Sequence, residues 1–400
     1  MEHVKPARLA RARKVEIAAA TAPPLAAASR ILFVDNVRWV MILLVLSMHA
    51  AVTYSPFGSW YYREHPAIGM AGKLFFATYQ AVLQGFFMAL LFFVAGYFVP
   101  RSFDARGARS FLTGRLFRLG LPTLLFIALL GPLTEYLVHP WPLQTLGREL
   151  SGYVLGGDFL SGTGPLWFCA ALLIFSAAYA GLRVVVRPAP APEAPSRIDV
   201  VGVLLTVQAI ALTTFLTRLV FPVGSSVLNM QLCYFPSYII MFAAGVAASR
   251  HDWIRTVTDR FAWITAAVCV GAAMLMWLPL LVLGGALKGD IAALTGGPTC
   301  QSAAMSLWEA LICVGVSFGV LAGFRTWLAG QGKVVTFLSD NAFAVYVVHT
   351  PILVALALAM APLAFAPAVK FALLWALGAV ICFGVAAPLA RRVPLLGRIL

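Results

Sequence analysis

The chain has 400 residues, of which 61% are hydrophobic and only 11% are charged. Soluble globular proteins carry about 25% charged residues, so this composition excludes a soluble domain and indicates a membrane protein. The formal net charge of +14 would indicate nucleic-acid binding in a soluble protein. Here the basic residues lie in short segments between apolar runs, which is typical of topology signals beside anionic lipid. We therefore expect membrane lipids, and no nucleic acid, as partners.

The first thirty residues are basic and then rich in Ala and Pro. No apolar core precedes a cleavage site in this segment, so it does not fit a secretory signal. We expect residues 1–30 to form a disordered cytoplasmic arm. A single membrane domain is expected at 31–392, followed by a cytoplasmic tail at 393–400.

Ten apolar runs are long enough to cross a bilayer as helices, which takes about 20 mostly apolar residues. They cover approximately residues 36–55, 74–99, 119–138, 165–185, 200–218, 232–249, 262–285, 303–324, 336–360 and 369–390. These runs predict an all-α, polytopic integral membrane helix bundle with about ten transmembrane helices. The Pro-rich segment 187–196 is expected to be a semi-rigid tether.

Lys and Arg are concentrated in one alternate set of the connecting segments. Residues 101–118 alone contain five arginines. The positive-inside rule places this set, and with it both termini, in the cytoplasm. The opposite side carries the few remaining basic residues, namely Arg63, Lys73, Arg148, Arg218, Lys288 and Lys370.

Three ionisable side chains lie close to one face of the first predicted helix, two within the apolar run and one just before it. His49 follows Arg38 by eleven residues, so the two side chains project in directions about 20° apart and lie about 16 Å apart along the axis. Asp35 precedes Arg38 by one turn. Ionisable groups at membrane depth usually face a protein interior or an aqueous cavity. Two interpretations stay open: a catalytic line of polar groups, or a headgroup anchor at Asp35 and Arg38 with His49 bonded to a neighbouring helix.

Arg115 and Arg118 form an RxxR pair where the third predicted helix enters the membrane from the cytoplasmic side. Residues three apart lie on nearly one face of a helix. Guanidinium groups stay charged and bind phosphate oxygens in pairs, so this pair predicts a phosphate clamp. Contact with lipid phosphates is the alternative.

Two further ionisable residues lie within apolar runs. Glu309 has no basic neighbour on its own helix, so we expect it to face the interior of the bundle, as His49 does. His349, with Tyr346 one turn before it, fits a structural hydrogen bond as well as a functional role. The six cysteines show no zinc-binding spacing, and no metal is expected.

Five segments, in this order, resemble acyltransferase family 3, the polytopic membrane O-acyltransferases of bacterial envelope glycans, which include the glucan biosynthesis protein C branch. They are "FVDNVRWVMILLVLSMHA", "FFVAGYFVPRSF", "RLFRLGLP", "GPLWFCAALLIFSAAYA" and "LSDNAFAVYVVHTPILV". The resemblance implies a multi-pass protein of the bacterial inner membrane. Its donor would be cytoplasmic acyl-CoA, with acetyl the expected group and succinyl the alternative. Its acceptor would be a hydroxyl of a carbohydrate or envelope glycan.

The resemblance also implies roles for single residues. Arg38 and His49 match the family's arginine and histidine of the first helix, with Asp35 beside them, and Arg115 with Arg118 match its RxxR motif. Glu309 falls where the family has a carboxylate on a late helix. We expect His49 to act as the buried base and Arg115 and Arg118 to hold the CoA phosphates.

Two alternatives do not involve acyl transfer. A transporter of small solutes or lipid-linked glycans would also have about ten helices and a polar interior. No inverted repeat is discernible, however, and transport does not require an RxxR pair. A non-catalytic scaffold would account for neither His49 nor the arginines.

Overall fold

The computed structural model describes residues 31–64, 67–186, 198–394 and 396–400. The predicted arm at 1–30 and the predicted tether at 187–196 lie outside these residues. Within the described residues the fold is all-helical and has no β-strand, apart from one isolated bridge between Val227 and Met230. The predicted all-α polytopic fold is confirmed.

Sixteen α-helices follow one another along the described chain. They are α1 Leu32–Tyr54, α2 Met70–Arg115, α3 Leu121–Leu125, α4 Gly131–Val138, α5 Leu146–Leu155, α6 Trp167–Val185, α7 Val200–Arg218, α8 Phe235–His251, α9 Trp253–Thr256, α10 Asp259–Leu283, α11 Ala292–Thr295, α12 Cys300–Trp327, α13 Lys333–Met360, α14 Pro367–Ile381, α15 Ala387–Arg392 and α16 Leu396–Ile399. Short 3₁₀ turns precede α5, α6, α8 and α11.

Nine helical stretches of the described chain are long and apolar enough to cross a membrane, and the longest, Met70–Val138, covers two of the ten predicted runs. Gly107 leaves the helical conformation within this stretch, at φ 72° and ψ 166°. The rings of Phe103 and Phe111 lie only 5.6 Å apart across it, whereas eight residues of a continuous helix rise about 12 Å. The chain therefore folds back at Gly107, and this stretch supplies two of the ten predicted helices.

Three π-helical turns interrupt the long helices, and a proline follows each of them. The turns are Leu116–Gly120, Phe126–Leu130 and Cys382–Ala386. Pro122, Pro132 and Pro388 stand two residues after the respective ends. Proline has no N–H to donate to the carbonyl four residues before it, so the hydrogen-bond ladder is broken there. The N–H before each proline instead bonds five residues back, which widens the turn.

The helices form an inner group and an outer ring. In the apolar windows of α1 and α13, 67% and 61% of the residues are buried inside the protein, against 22% in α7 and 28% in α10. The outer helices instead expose long aliphatic side chains, among them Leu204, Leu275 and Val380. Apolar side chains facing outward are expected where lipid replaces water.

Two glycines bring the backbones of α2 and α8 into contact. A Cβ atom on Gly96 would lie 2.2 Å from the carbonyl oxygen of Phe242, and one on Gly245 would lie 2.1 Å from that of Phe93. Helices in membranes approach closely where small residues face each other, because packing replaces the hydrophobic effect as the driving force. These reciprocal glycines therefore fix the distance between α2 and α8.

We name one end of the bundle the Arg38 end. It holds the basic segments, the start of the first long helix and the end of the last long helical stretch of the described chain. This is the arrangement that the distribution of Lys and Arg predicts. The contacts that join its segments are the ion pairs Arg183–Asp104 and Arg325–Asp259 and the hydrogen bonds from Asn36 to Leu328 O and from Arg391 to Asp340 O.

The opposite end, which we name the Trp60 end, holds the segment 55–64 and the start of α14. Lys370, grouped with the basic residues of this side in the sequence, is almost fully buried. Its Nζ donates to Glu64 Oε1 at 2.6 Å, and the N–H of Glu64 donates to Thr53 O at 3.0 Å. These two contacts hold the segment that follows α1 against the bundle.

Candidate active site

His49 lies in the last two turns of α1 and faces other protein side chains. The indole of Trp60 covers its ring, with centroids 3.7 Å apart and planes inclined by 17°. The ring of His349 on α13 lies at 5.3 Å, inclined by 21°. Trp60 and His349 are also nearly parallel, at 6.5 Å. Three planar rings from three segments of the chain are thus grouped within the bundle.

The hydrogen bond of His349 fixes which of its nitrogens carries the proton. Nδ1 lies 2.7 Å from the carbonyl oxygen of Tyr346. A carbonyl oxygen only accepts hydrogen bonds, so Nδ1 carries the hydrogen and Nε2 keeps a lone pair. Nε2 is buried and has no hydrogen-bond partner among the described residues. An unpaired buried acceptor costs about 1–3 kcal/mol, which makes this atom an exception that needs a reason.

A further segment of the chain holds the helix that carries His349. The Tyr346 hydroxyl donates to the carbonyl oxygen of Pro165, just before α6. The ring of Tyr346 also stacks on His349 at 6.0 Å. Tyr346, one of the rings beside His349, is therefore held in place by a hydrogen bond to another segment.

Arg38 lies at the other end of α1. Its Nη1 donates to Asp35 Oδ1 at 2.9 Å, and its guanidinium carbon lies 4.8 Å from the ring centre of Phe98 on α2. The Asp35 side chain is 11% exposed, but the Arg38 side chain is 43% exposed. Asp35 thus orients a guanidinium group that is partly exposed.

Arg115 is the member of the RxxR pair that lies near Arg38. Arg38, Arg106 and Arg118 all lie close enough to Arg115 for their positive charges to act on it. The guanidinium of Arg115 also lies over the ring of Phe111, at 5.3 Å. Arg115 is partly buried, and Arg118, in the π-turn Leu116–Gly120, is exposed. Four guanidinium groups in one region repel one another, and a bound polyanion would relieve that repulsion.

Glu309 lies in a third place. Its carboxylate accepts from Nη2 of Arg218 at 2.7 and 2.8 Å, and the guanidinium of Arg218 lies over the ring of Tyr234. Arg218, grouped with the extramembrane basic residues in the sequence, is fully buried. Glu309 does face the bundle interior, but its carboxylate pairs with Arg218 and not with His49.

The predicted residues therefore form three groups. Asp35 and Arg38 lie near Arg115 and Arg118, His49 lies with His349 and Trp60, and Glu309 lies with Arg218. The sequence contained signals for most of these members but not for their pairing. Arg106 and Trp60 were missed, since a loop arginine and a loop tryptophan have no distinguishing pattern.

A cavity of about 360 Å³ lies near the Arg38 end. Phe33, Phe93 and Arg325 are among the residues that line it, and His49 is not. Its walls are almost entirely apolar. No group of three or more His, Cys, Asp or Glu side chains that could hold a metal occurs among the described residues.

Comparison with known proteins agrees with this architecture. The family model described as an acyltransferase domain, that of acyltransferase family 3, matches residues 31–391. Relatives with the name "Glucans biosynthesis protein C" come from Salmonella typhi, Salmonella typhimurium and Salmonella schwarzengrund; each is 24% identical over 347 residues, covering 81% of this chain and 83% of the relative. No solved structure matches. These findings favour an enzyme over a transporter or a scaffold.

Proposed function

The chain belongs to acyltransferase family 3 and is a multi-pass membrane acyltransferase, and we propose that it transfers an acyl group from cytoplasmic acyl-CoA to a carbohydrate hydroxyl of the bacterial envelope. The membrane would be the inner membrane. The name of its Salmonella relatives refers to glucan biosynthesis, which supports a glycan acceptor. We propose acetyl as the acyl group, with succinyl as the alternative.

The Arg38 end would receive the donor. Its excess of basic residues indicates the cytoplasmic side, where acyl-CoA is made. The phosphates of CoA would bind the guanidinium groups of Arg38, Arg115 and Arg118, which stay charged and accommodate phosphate oxygens bidentately. Arg106, in the same group, would add to the attraction.

His49 would act as the base. A neutral imidazole keeps a lone pair on one ring nitrogen, which can take the proton of the acceptor hydroxyl. The hydroxyl oxygen attacks the thioester carbonyl carbon, the C–S bond breaks, and the CoA thiolate leaves. The proton held by His49 then passes to that thiolate, which gives the ester and free CoA. An acyl-imidazole on His49 is the variant of this route.

One observation carries the proposal: Arg38 and His49 share a face of α1, with the arginine group at one end and the two imidazoles near the other. Eleven residues of helix span about 16 Å, a distance that the flexible pantetheine arm of CoA can bridge. Phosphates held at Arg38 would thus leave the thioester within reach of His49. The 360 Å³ cavity does not supply this route, so we propose that the arm follows the α1 face itself.

Transfer by purified protein tests the proposal. The protein in detergent would be mixed with radiolabelled acetyl-CoA or succinyl-CoA and with a bacterial glucan, and the label on the recovered glucan would be counted. We expect labelled glucan with one of the two donors. Intact donor and unlabelled glucan in every combination, with protein that is folded and binds CoA, would reject the function.

A further inference from the structure

The two imidazoles offer nitrogen acceptors on nearly parallel rings in one place. Because Nδ1 of His349 carries the hydrogen, Nε2 keeps its lone pair. Nε2 has no hydrogen-bond partner among the described residues. The ring of His49 lies 5.3 Å away, between ring centres, and one nitrogen of a neutral imidazole keeps a lone pair. The base step needs only one of these nitrogens, so the second requires another explanation.

A single hydroxyl group cannot satisfy both nitrogens. It has one hydrogen, and while that hydrogen is donated to His49 nothing remains for His349. A buried acceptor that meets no donor is destabilising. A second hydroxyl on the same acceptor molecule would satisfy His349 Nε2 and would also fix the orientation of the first.

We propose that His49 and His349 together bind two neighbouring hydroxyls of one sugar ring, the first of which is acylated. The hydroxyl bound to His49 loses its proton, and the hydroxyl bound to His349 Nε2 donates a hydrogen bond and stays unmodified. This inference rests on the proposed acyl transfer. It narrows the acceptor class to polyols with adjacent hydroxyls and makes His349 a residue that contacts the substrate.

Trp60 provides the way in. Three rings lie close to His349, and two of them, His49 and Tyr346, belong to transmembrane helices. Trp60 instead lies in the non-helical segment that follows α1 and is only partly buried. It is therefore the neighbour that can move aside to admit a sugar. Its indole would then offer an apolar face to the C–H groups of the sugar ring.

Deoxy sugars test the pair of hydroxyls. Acetyl-CoA or succinyl-CoA, whichever donor is active, would be given with methyl β-glucoside and with each of its monodeoxy derivatives, and the acylated position would be read by mass spectrometry and NMR. For the wild-type protein we expect one deoxy position, adjacent to the acylated one, to lower the rate at least tenfold. A tenfold change corresponds to about 1.4 kcal/mol, a typical value for one hydrogen bond.

Two variants separate substrate binding from structure. In His349→Asn the amide can keep the bond to Tyr346 O but has no atom at the position of Nε2. In His349→Gln the amide can reach that position. The deoxy penalty is the factor by which removal of this adjacent hydroxyl lowers the rate. We expect the Asn variant to acylate the deoxy sugar and the parent sugar at about equal rates. The Gln variant should keep part of the penalty. His139→Ala, which removes an exposed histidine, should retain the full penalty.

The outcomes distinguish the two proposals. No acylated sugar from wild-type protein with any glucoside would count against the proposed function. Acylation by the wild type, with an unchanged deoxy penalty in both His349 variants, would overturn the two-hydroxyl site alone. Loss of the penalty in His349→Asn, with product still formed, would support it.

Discussion

Glu309 on α12 accepts two hydrogen bonds from a single nitrogen of Arg218 on α7, at 2.7 and 2.8 Å. Arg218 is fully buried, and its Nε and Nη1 have no hydrogen-bond partner among the described residues. The carboxylate therefore neutralises a guanidinium that water does not reach. Removing either partner would leave a buried charge uncompensated.

The pair predicts a specific pattern of stabilities. Glu309→Gln and Arg218→Gln are each expected to lower the free energy of unfolding by about 3–5 kcal/mol, because one buried charge loses its partner. The double variant Glu309→Leu with Arg218→Met removes both charges and should recover most of this loss. Thermal unfolding in detergent measures the effect, and a double variant as unstable as the sum of the single ones would contradict it.

The same double variant decides whether Glu309 takes part in the chemistry. If its carboxylate serves catalysis, as the resemblance to the family implies, acyl transfer should fall at least tenfold although the protein is stable. Unimpaired transfer by the stable double variant would restrict Glu309 to holding α7 against α12.

The close approach of Gly96 to the backbone of Phe242 predicts a steric limit. Gly96→Ala would place a methyl group 2.2 Å from Phe242 O, so α2 and α8 must move apart. We expect a loss of about 2 kcal/mol in stability, within the range for overpacking. Gly181→Ala on α6 is the matched control, since its Cβ meets no atom within 4 Å, and it should be neutral or slightly stabilising. Equal melting temperatures for the two variants would contradict the contact.

The arginine group predicts a change in donor affinity. Arg115→Ala and Arg118→Ala should each raise the KM for acyl-CoA about tenfold, because a charge-assisted contact with phosphate is lost. Arg148→Ala removes the same charge from an exposed position on α5 and should leave KM unchanged. Steady-state kinetics over a range of acyl-CoA concentrations give these values. An equal rise in KM for all three variants would show that net charge, and not a clamp, attracts the donor.

The stacking of Trp60 on His49 predicts how the acyl group is divided between water and the sugar. Its indole covers His49, so Trp60→Ala should admit water and raise the ratio of acyl-CoA hydrolysis to sugar acylation at least fivefold. Trp327→Ala, at an exposed tryptophan of the Arg38 end, is the control. Free acid and acyl sugar would be quantified from the same reaction. An unchanged ratio would show that the indole does not shield the imidazoles.

Much of the fold was predictable because a lipid environment forces the backbone to bond within each helix. Long apolar runs therefore marked the helices, and Arg38 and His49 were placed on one face by helical geometry alone. The pairing of α1 with α13 was not predictable, because nothing in the spacing of His49 or His349 specifies its neighbour. The partners of Arg218 and Lys370 were missed for the same reason, since a basic residue near a helix end resembles an interfacial anchor until its carboxylate is found.

The most direct test of the mechanism is the rate of acyl transfer by His49→Gln, measured beside wild type in protein that is inserted equally well and binds acyl-CoA with the same affinity. General bases contribute about 100-fold to 10,000-fold to rates, so we predict a fall of at least 100-fold with unchanged donor binding. Transfer at the wild-type rate would exclude His49 from the chemistry and contradict the account.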